Sequence, residues 1–201
     1  CISSAASDVY KRQALFLTLP AAVALFIIPE PIVRVIYERG AFGPDTTAAV
    51  AAVLGIYALG LPAFVMIRVF TPGYFAREDT RRPMLVTVAS AVANTVLSVG
   101  LFFVMEEKGI ALATTLAGWL NALLLFHGLY ARGLWAVDGP LVRRCLMLLV
   151  SALAMGGLLI FAMPHLEGWI VPSAGLHRQL AGIGILVLIA MAAYFALCLL
   201  T

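Results

Sequence analysis

The residues whose types and spacing can do chemistry gather in one stretch, Arg68–Pro83, RVFTPGYFAREDTRRP. Arg68 stands inside a long apolar run. An ionisable side chain at that depth is costly in lipid and marks a functional position by default, for instance a guanidinium that grips a phosphate from a water-filled cavity. The plainer reading is an arginine snorkelling to nearby headgroups. Arg77, Asp79 and Arg82, with Glu78 and Arg81, make a short charged loop. Such a loop either gates by pairing with another part of the protein or is simply solvated. Further along, Thr87, Ser90, Asn94 and Ser98 recur every three or four residues and so share one helical face; Thr114, Gly118 and Asn121 do the same. Small and polar residues of this kind are the usual contact surface between helices in lipid. They also suit the lining of a polar path, and Asn94 and Asn121 can serve both purposes.

Other chemistry finds little support. There is no HExxH, no GxSxG and no glycine-rich phosphate loop. His127, His165 and His177 lie far apart near the ends of apolar runs and read as interfacial polar residues rather than metal ligands. Cys1, Cys145 and Cys198 have neither CxxC nor metal spacing, and read as small apolar fillers. No enzyme activity, no cofactor and no metal site is expected.

The elements that must position these residues are membrane spans. The chain is 63% hydrophobic and 11% charged, whereas soluble domains carry about 25% charged residues. Its apolar residues come in blocks of about 20, the length that crosses a hydrocarbon core. The net charge of +3 is scattered over short loops with no basic face, which excludes a nucleic-acid partner. Six spans are expected, at Ala14–Ile28, Thr47–Phe70, Pro83–Val104, Ile110–Tyr130, Cys145–Met163 and Leu180–Leu200. Pro20 interrupts the first, and Gly60 and Pro62 predict a kink in the second. Between the first two, Glu30–Thr46 reads as a connector with a short interfacial helix. In that helix Ile32, Val33, Ile36 and Tyr37 share a face, and Gly40 ends it. Asp45 or Thr46 can cap the helix that follows. A turn is expected at Glu106–Gly109, a polar stretch with Trp135 at Ala131–Arg144, and a loop at Pro164–Gln179.

Basic residues in short loops set orientation. Arg77, Arg81, Arg82, Arg132, Arg143 and Arg144 fall on one side, against Arg34, Arg39, Lys108 and Arg178 on the other. The first side is expected to be cytoplasmic. The opening residues 1–13 read as foreign: DVYKRQ, Asp8–Gln13, translates the end of a common transposase sequencing adapter. The native protein is expected to begin near Ala14 here, with its upstream half missing.

Three strings carry a family resemblance: YERGAF at Tyr37–Phe42, YALGLPAFVMIRVFTPGYFAREDTRRP at Tyr57–Pro83 and GIALATTLAGWLNALLL at Gly109–Leu125. They resemble the MurJ/MviN family of lipid II flippases, within the multidrug/oligosaccharidyl-lipid/polysaccharide exporter superfamily. The resemblance implies an all-α integral membrane fold with six transmembrane helices, similar to helices nine to fourteen of a fourteen-helix, two-lobe flippase. On that basis residues 14–131 form four helices of the second lobe, and residues 132–201 two C-terminal helices that shape a hydrophobic groove. It further implies a bacterial cytoplasmic membrane location and alternating access. The partners it implies are the undecaprenyl-pyrophosphate-linked peptidoglycan precursor (lipid II), membrane lipids and the missing N-terminal lobe. The family's cationic cluster lies mainly in the first lobe and in helix eight, and none of it is expected here. Arg68 matches a basic position of the family motif, and the fragment alone is expected to be inactive. The alternatives are export of another lipid-linked oligosaccharide and a non-transporting scaffold for cell-wall assembly.

Overall fold

The computed structural model describes residues 16–133, 139–170 and 175–200. Among them the only regular structure is helical. The opening residues read as adapter-derived, and Trp135, lie outside the described residues.

Helix α1 spans Phe16–Ile27 and α2 Pro29–Tyr37, bent by 78° at the break between them. Pro29 and Pro31 explain the break, because neither offers an N–H to continue the hydrogen bonding of α1. Alone, the described part of α1 is too short to cross a bilayer. Among the described residues, five helices are therefore long and apolar enough to span, or six if the bent pair counts as one. Helix α2 buries Pro31, Val33 and Val35, and leaves Ile36 and Tyr37 exposed. The apolar face expected from Ile32, Val33, Ile36 and Tyr37 is thus rotated: α2 packs inward against α7, and Ile36 and Tyr37 turn outward.

The YERGAF string closes α2. Arg39 donates to the Val35 carbonyl at 2.9 Å, satisfying a terminal acceptor. Gly40 has φ +61°, which a residue without Cβ adopts freely. The rings of Tyr37 and Phe42 meet at 6.0 Å. Glu38 accepts from the Thr47 hydroxyl at 2.9 Å and faces Arg34 at 3.4 Å, tying the end of α2 to the start of the next helix.

That helix, α3, spans Pro44–Phe75 and runs through Pro62 and Pro72. It starts just before the expected cap, and it ends beyond the expected Phe70. TPG at Thr71–Gly73 reads as a turn, yet Phe70 and Tyr74, one turn apart, both bury against Leu125 and Leu129. That burial holds the last turn in place although proline in a helix interior costs about 3 kcal/mol.

Helices α4, Arg81–Met105, and α5, Glu107–Tyr130, form an antiparallel hairpin. The expected four-residue turn is reduced to Glu106 alone, with φ 52°. So tight a reversal brings the backbones together: a Cβ on Gly109 would lie 2.4 Å from the Leu101 carbonyl oxygen. Helix α6, Gly139–Ile170, continues through Pro164, and its apolar window is Cys145–Leu166. Helix α7 spans Leu176–Leu200. The expected loop at Pro164–Gln179 is therefore largely helix.

The contacts fall into two compact units, one of Leu59–Val142 with the opening of α1 up to Thr18, the other of Leu19–Ala58 with Arg143–Thr201. In the first, α5 is buried along Ala113, Ala117, Asn121, Leu125 and Leu129. There α4 buries only Pro83 and Ser90, and Val88, Val92, Val96 and Phe103 remain exposed. In the second, Met155, Leu159, Leu186, Ala190 and Tyr194 form the buried interior of α6 and α7.

Candidate functional site

The charged loop of the first unit is a fixed turn. Its backbone is stapled from within: Arg77 and Asp79 N–H groups both donate to the Tyr74 carbonyl, at 3.0 and 3.2 Å, and Glu78 N–H donates to Phe75 at 3.0 Å. Glu78 takes φ 59° to close this turn. Asp79 then does two jobs. Its Oδ1 accepts from the Arg82 N–H at 3.2 Å, capping α4, and its Oδ2 accepts from Arg132 Nη1 at 2.7 Å. Arg132 is in the turn that follows α5, so this ion pair joins the α3–α4 loop to the end of α5. The Arg132 hydrogen bond, then the Arg82 N–H, hold the Asp79 carboxyl below its ordinary range. The Arg82 guanidinium is more distant, at 4.0 Å.

Below the loop a second tie links the same helices. Tyr74, 1% exposed, donates from its hydroxyl to the Leu125 carbonyl at 2.8 Å. Gly128 makes room for that hydroxyl, since a Cβ there would lie 2.3 Å from it. Deeper still, Trp119 donates to the Leu59 carbonyl at 3.0 Å.

The structure sorts the sequence candidates into three groups. Asp79 and Arg82 come together, with Arg132, whose place in the sequence marks it only as a loop cation. Arg77 and Arg68 are exposed, and no carboxylate pairs with either among the described residues. Arg68 sits on α3 one turn before Pro72, on a face that also exposes Phe75. Asn94 stands on α4 and Asn121 on α5, the two helices of the hairpin. Asn94 is half-buried and accepts from Ser98 at 3.3 Å. Asn121 is 7% exposed and Ser90 4%. The Asn121 Oδ1 and the Ser90 Oγ have no hydrogen-bond partner among the described residues. Ser90 and Asn121 thus contribute to helix packing, while Thr87 is exposed and Thr114, half-buried, donates to the Ile110 carbonyl at 3.0 Å. Among the described residues no group of His, Cys, Asp and Glu is placed to hold a metal ion.

Sequence reasoning missed Tyr74 and Gly128 as a pair. The signal available was weak: an aromatic residue in GYFAR and a glycine in HGLY, far apart in the chain.

The fold and its charged ends define a class: an all-helical, multi-pass membrane protein. The family model described as "Lipid II flippase MurJ" matches residues 9–176. A relative from Rhizobium tropici, described as "Probable lipid II flippase MurJ", is 49% identical over 181 residues, covering 90% of this chain and 34% of the relative. One of the same description from Rhizobium meliloti (strain 1021) is 47% identical over 182 residues, with the same coverage of each. The solved structure "Lipid II flippase MurJ, inward closed conformation" superposes with a TM-score of 0.75 at 24% identity, over 94% of this chain and 36% of that one. The chain belongs to the MurJ family of lipid II flippases and is a multi-pass protein of the cytoplasmic membrane. It spans about a third of the length of the curated relatives it matches.

Proposed function

We propose that this chain is the C-terminal part of a transporter that moves lipid II, the lipid-linked peptidoglycan precursor, across the cytoplasmic membrane by alternating access. The observation that carries this reading is the match of nearly the whole chain to relatives described as lipid II flippases. Its partners are then lipid II, the surrounding lipids and an N-terminal lobe. The role is transport, with no bond made or broken by the protein. The chain by itself is inactive, because rocking of one lobe against another needs both.

Within this reading residues 14–131 belong to the second lobe and residues 132–201 form the C-terminal helix pair. Arg68 is the strongest substrate-path residue, since its guanidinium is exposed and free of a carboxylate partner among the described residues, as a phosphate-binding cation must be. Asn94 and Asn121 are path residues of second rank, because packing already uses their face. Arg77, Asp79 and Arg82 form the cytoplasmic turn, with Asp79 as its fastener.

The test is a flipping assay in vesicles. The chain replaces the corresponding third of the Rhizobium tropici relative, and fluorescent lipid II is followed as it becomes accessible to an external quencher. Transport that unlabelled lipid II competes away, and that Arg68→Ala abolishes at equal protein level, supports the reading. Competition by another lipid-linked oligosaccharide, with none by lipid II, assigns the chain to an exporter of that lipid. Retained binding to cell-wall enzymes with no transport makes it a scaffold.

A further inference from the structure

Two strings of the first unit meet away from the charged turn: GLPAF, Gly60–Phe64 of α3, and TTLAGW, Thr114–Trp119 of α5. Pro62 has no N–H for the Ala58 carbonyl, and a proline ring inside a helix pushes that turn open. Helix α3 nevertheless runs on through it. Lipid offers no water to a carbonyl set aside in this way, so a neighbouring helix must attend to the turn. Trp119 does so at the next carbonyl along. Half-buried, it donates from its indole Nε1 to Leu59 at 3.0 Å. The indole has the matching need, since a donor without an acceptor is costly in hydrocarbon.

Around this bond one face of α5 grips the proline turn, because Thr115, Gly118 and Trp119 stand three and four positions apart. The Phe64 ring fills the space left by two glycines. A Cβ on Gly118 would lie 2.7 Å from it, and a Cβ on Gly60 3.0 Å. The Gly60 Cβ would also lie 3.1 Å from the Thr115 hydroxyl oxygen. The division between the two compact units cuts α3 between Ala58 and Leu59, at the start of the gripped turn. A turn that lacks a backbone bond and carries a glycine is where a helix bends at least cost.

We propose that Leu59–Pro62 is a hinge in α3 and that Trp119 is its positioning residue, an indole latch that holds the helix in its continuous form. With the latch open, the segment before Leu59 turns about Gly60 and Pro62 on the segment that α5 holds. The use of the hinge rests on the alternating-access reading, since a lobe that rocks needs elements with two settings.

The experiment reads the hinge in the 201-residue chain itself, in lipid nanodiscs and without substrate. Its failure therefore leaves the transport reading standing, and a failure of transport leaves the hinge standing. Spin labels go on two exposed positions, through Val50→Cys on α3 and Leu123→Cys on α5, with Cys1, Cys145 and Cys198 replaced by alanine. Electron–electron double resonance then gives the distribution of distances between them. With Trp119 in place one distance is expected to dominate. Trp119→Phe keeps a ring and loses the N–H, and is expected to raise the share of a second distance about fivefold, the weight of one hydrogen bond. Benzothienylalanine at 119, with the shape of the indole and no donor, is expected to do the same. Adding Pro62→Ala to Trp119→Phe is expected to restore the single distance, because the helix then has its full bonding. An unchanged distribution in both Trp119 variants overturns the proposal. So does a second distance that persists with Pro62→Ala, which makes Trp119 a packing residue and no latch.

Discussion

Substituting Gly128 by alanine is expected to destabilise the first unit, and the size of the effect is set by one hydroxyl. The added Cβ would lie 2.3 Å from the Tyr74 oxygen, but 3.5 Å from Cζ and 3.9 Å from Cε1. The last two distances are ordinary contacts, so the clash is with the oxygen alone. Tyr74 is 1% exposed and its ring packs with Phe70, Leu125 and Leu129, so it has little freedom to retreat. Overpacking a core costs about 1–3 kcal/mol. Breaking the buried Tyr74–Leu125 hydrogen bond adds about 1 kcal/mol. Replacing a helical glycine by alanine returns up to about 1 kcal/mol. Gly128→Ala should therefore cost about 2 kcal/mol. Tyr74→Phe alone should cost about 1 kcal/mol, the hydrogen bond. In the double variant the clash is gone, and adding Gly128→Ala to Tyr74→Phe should be neutral or stabilising. The cycle should give a coupling of about 2 kcal/mol, in the range for residues in contact. Circular dichroism during reversible unfolding in mixed micelles measures all four proteins. An equal cost of Gly128→Ala in both backgrounds would refute the proposed packing.

Other perturbations test the loops. Asp79→Asn should loosen the α3–α4 turn, seen as faster amide exchange at Arg77–Arg82. The pH dependence has a definite sign. The Asp79 carboxyl is held below its ordinary value of 3.8, so its contribution is complete above that value and is lost as pH falls through the lower folded value. The unsubstituted chain and Asp79→Asn should thus differ by a constant amount from pH 8 to pH 5 and converge only in stronger acid. Gly40→Ala, at φ +61°, should cost about 1 kcal/mol in the same unfolding assay. Glu38→Ala removes the closer of the two acceptors of Thr47 and the more distant of the two carboxylates beside Arg34. A loss of about 1 kcal/mol is expected.

What the sequence made legible follows from solvent. Lipid demands long apolar blocks, so the spans could be read from hydropathy, and α5 falls almost where Ile110–Tyr130 was expected. Helix ends were less legible, because turn chemistry and burial compete there. Thr71–Gly73 looks like a turn until Tyr74 finds Leu125, and Pro164 looks like a stop although α6 runs on to Ile170. The α2 face was misplaced for a similar reason. Periodicity shows that a helix has an apolar side, but two neighbours decide which side is buried. The site was half visible. Asp79 stood out by its charge, whereas its partner Arg132 lies 53 residues away, and no local spacing connects them. Gly128 is one glycine among 17, and only the Tyr74 hydroxyl above it gives it meaning.

The central claim is that this chain supplies a working third of a lipid II flippase. The most direct measurement places it, as a replacement for the corresponding third of the Rhizobium tropici relative, in cells depleted of their own flippase. The account predicts that the chimera restores growth and cell shape, and that the chain expressed alone does not. A chimera that reaches the membrane at normal levels and leaves the cells to lyse would contradict it.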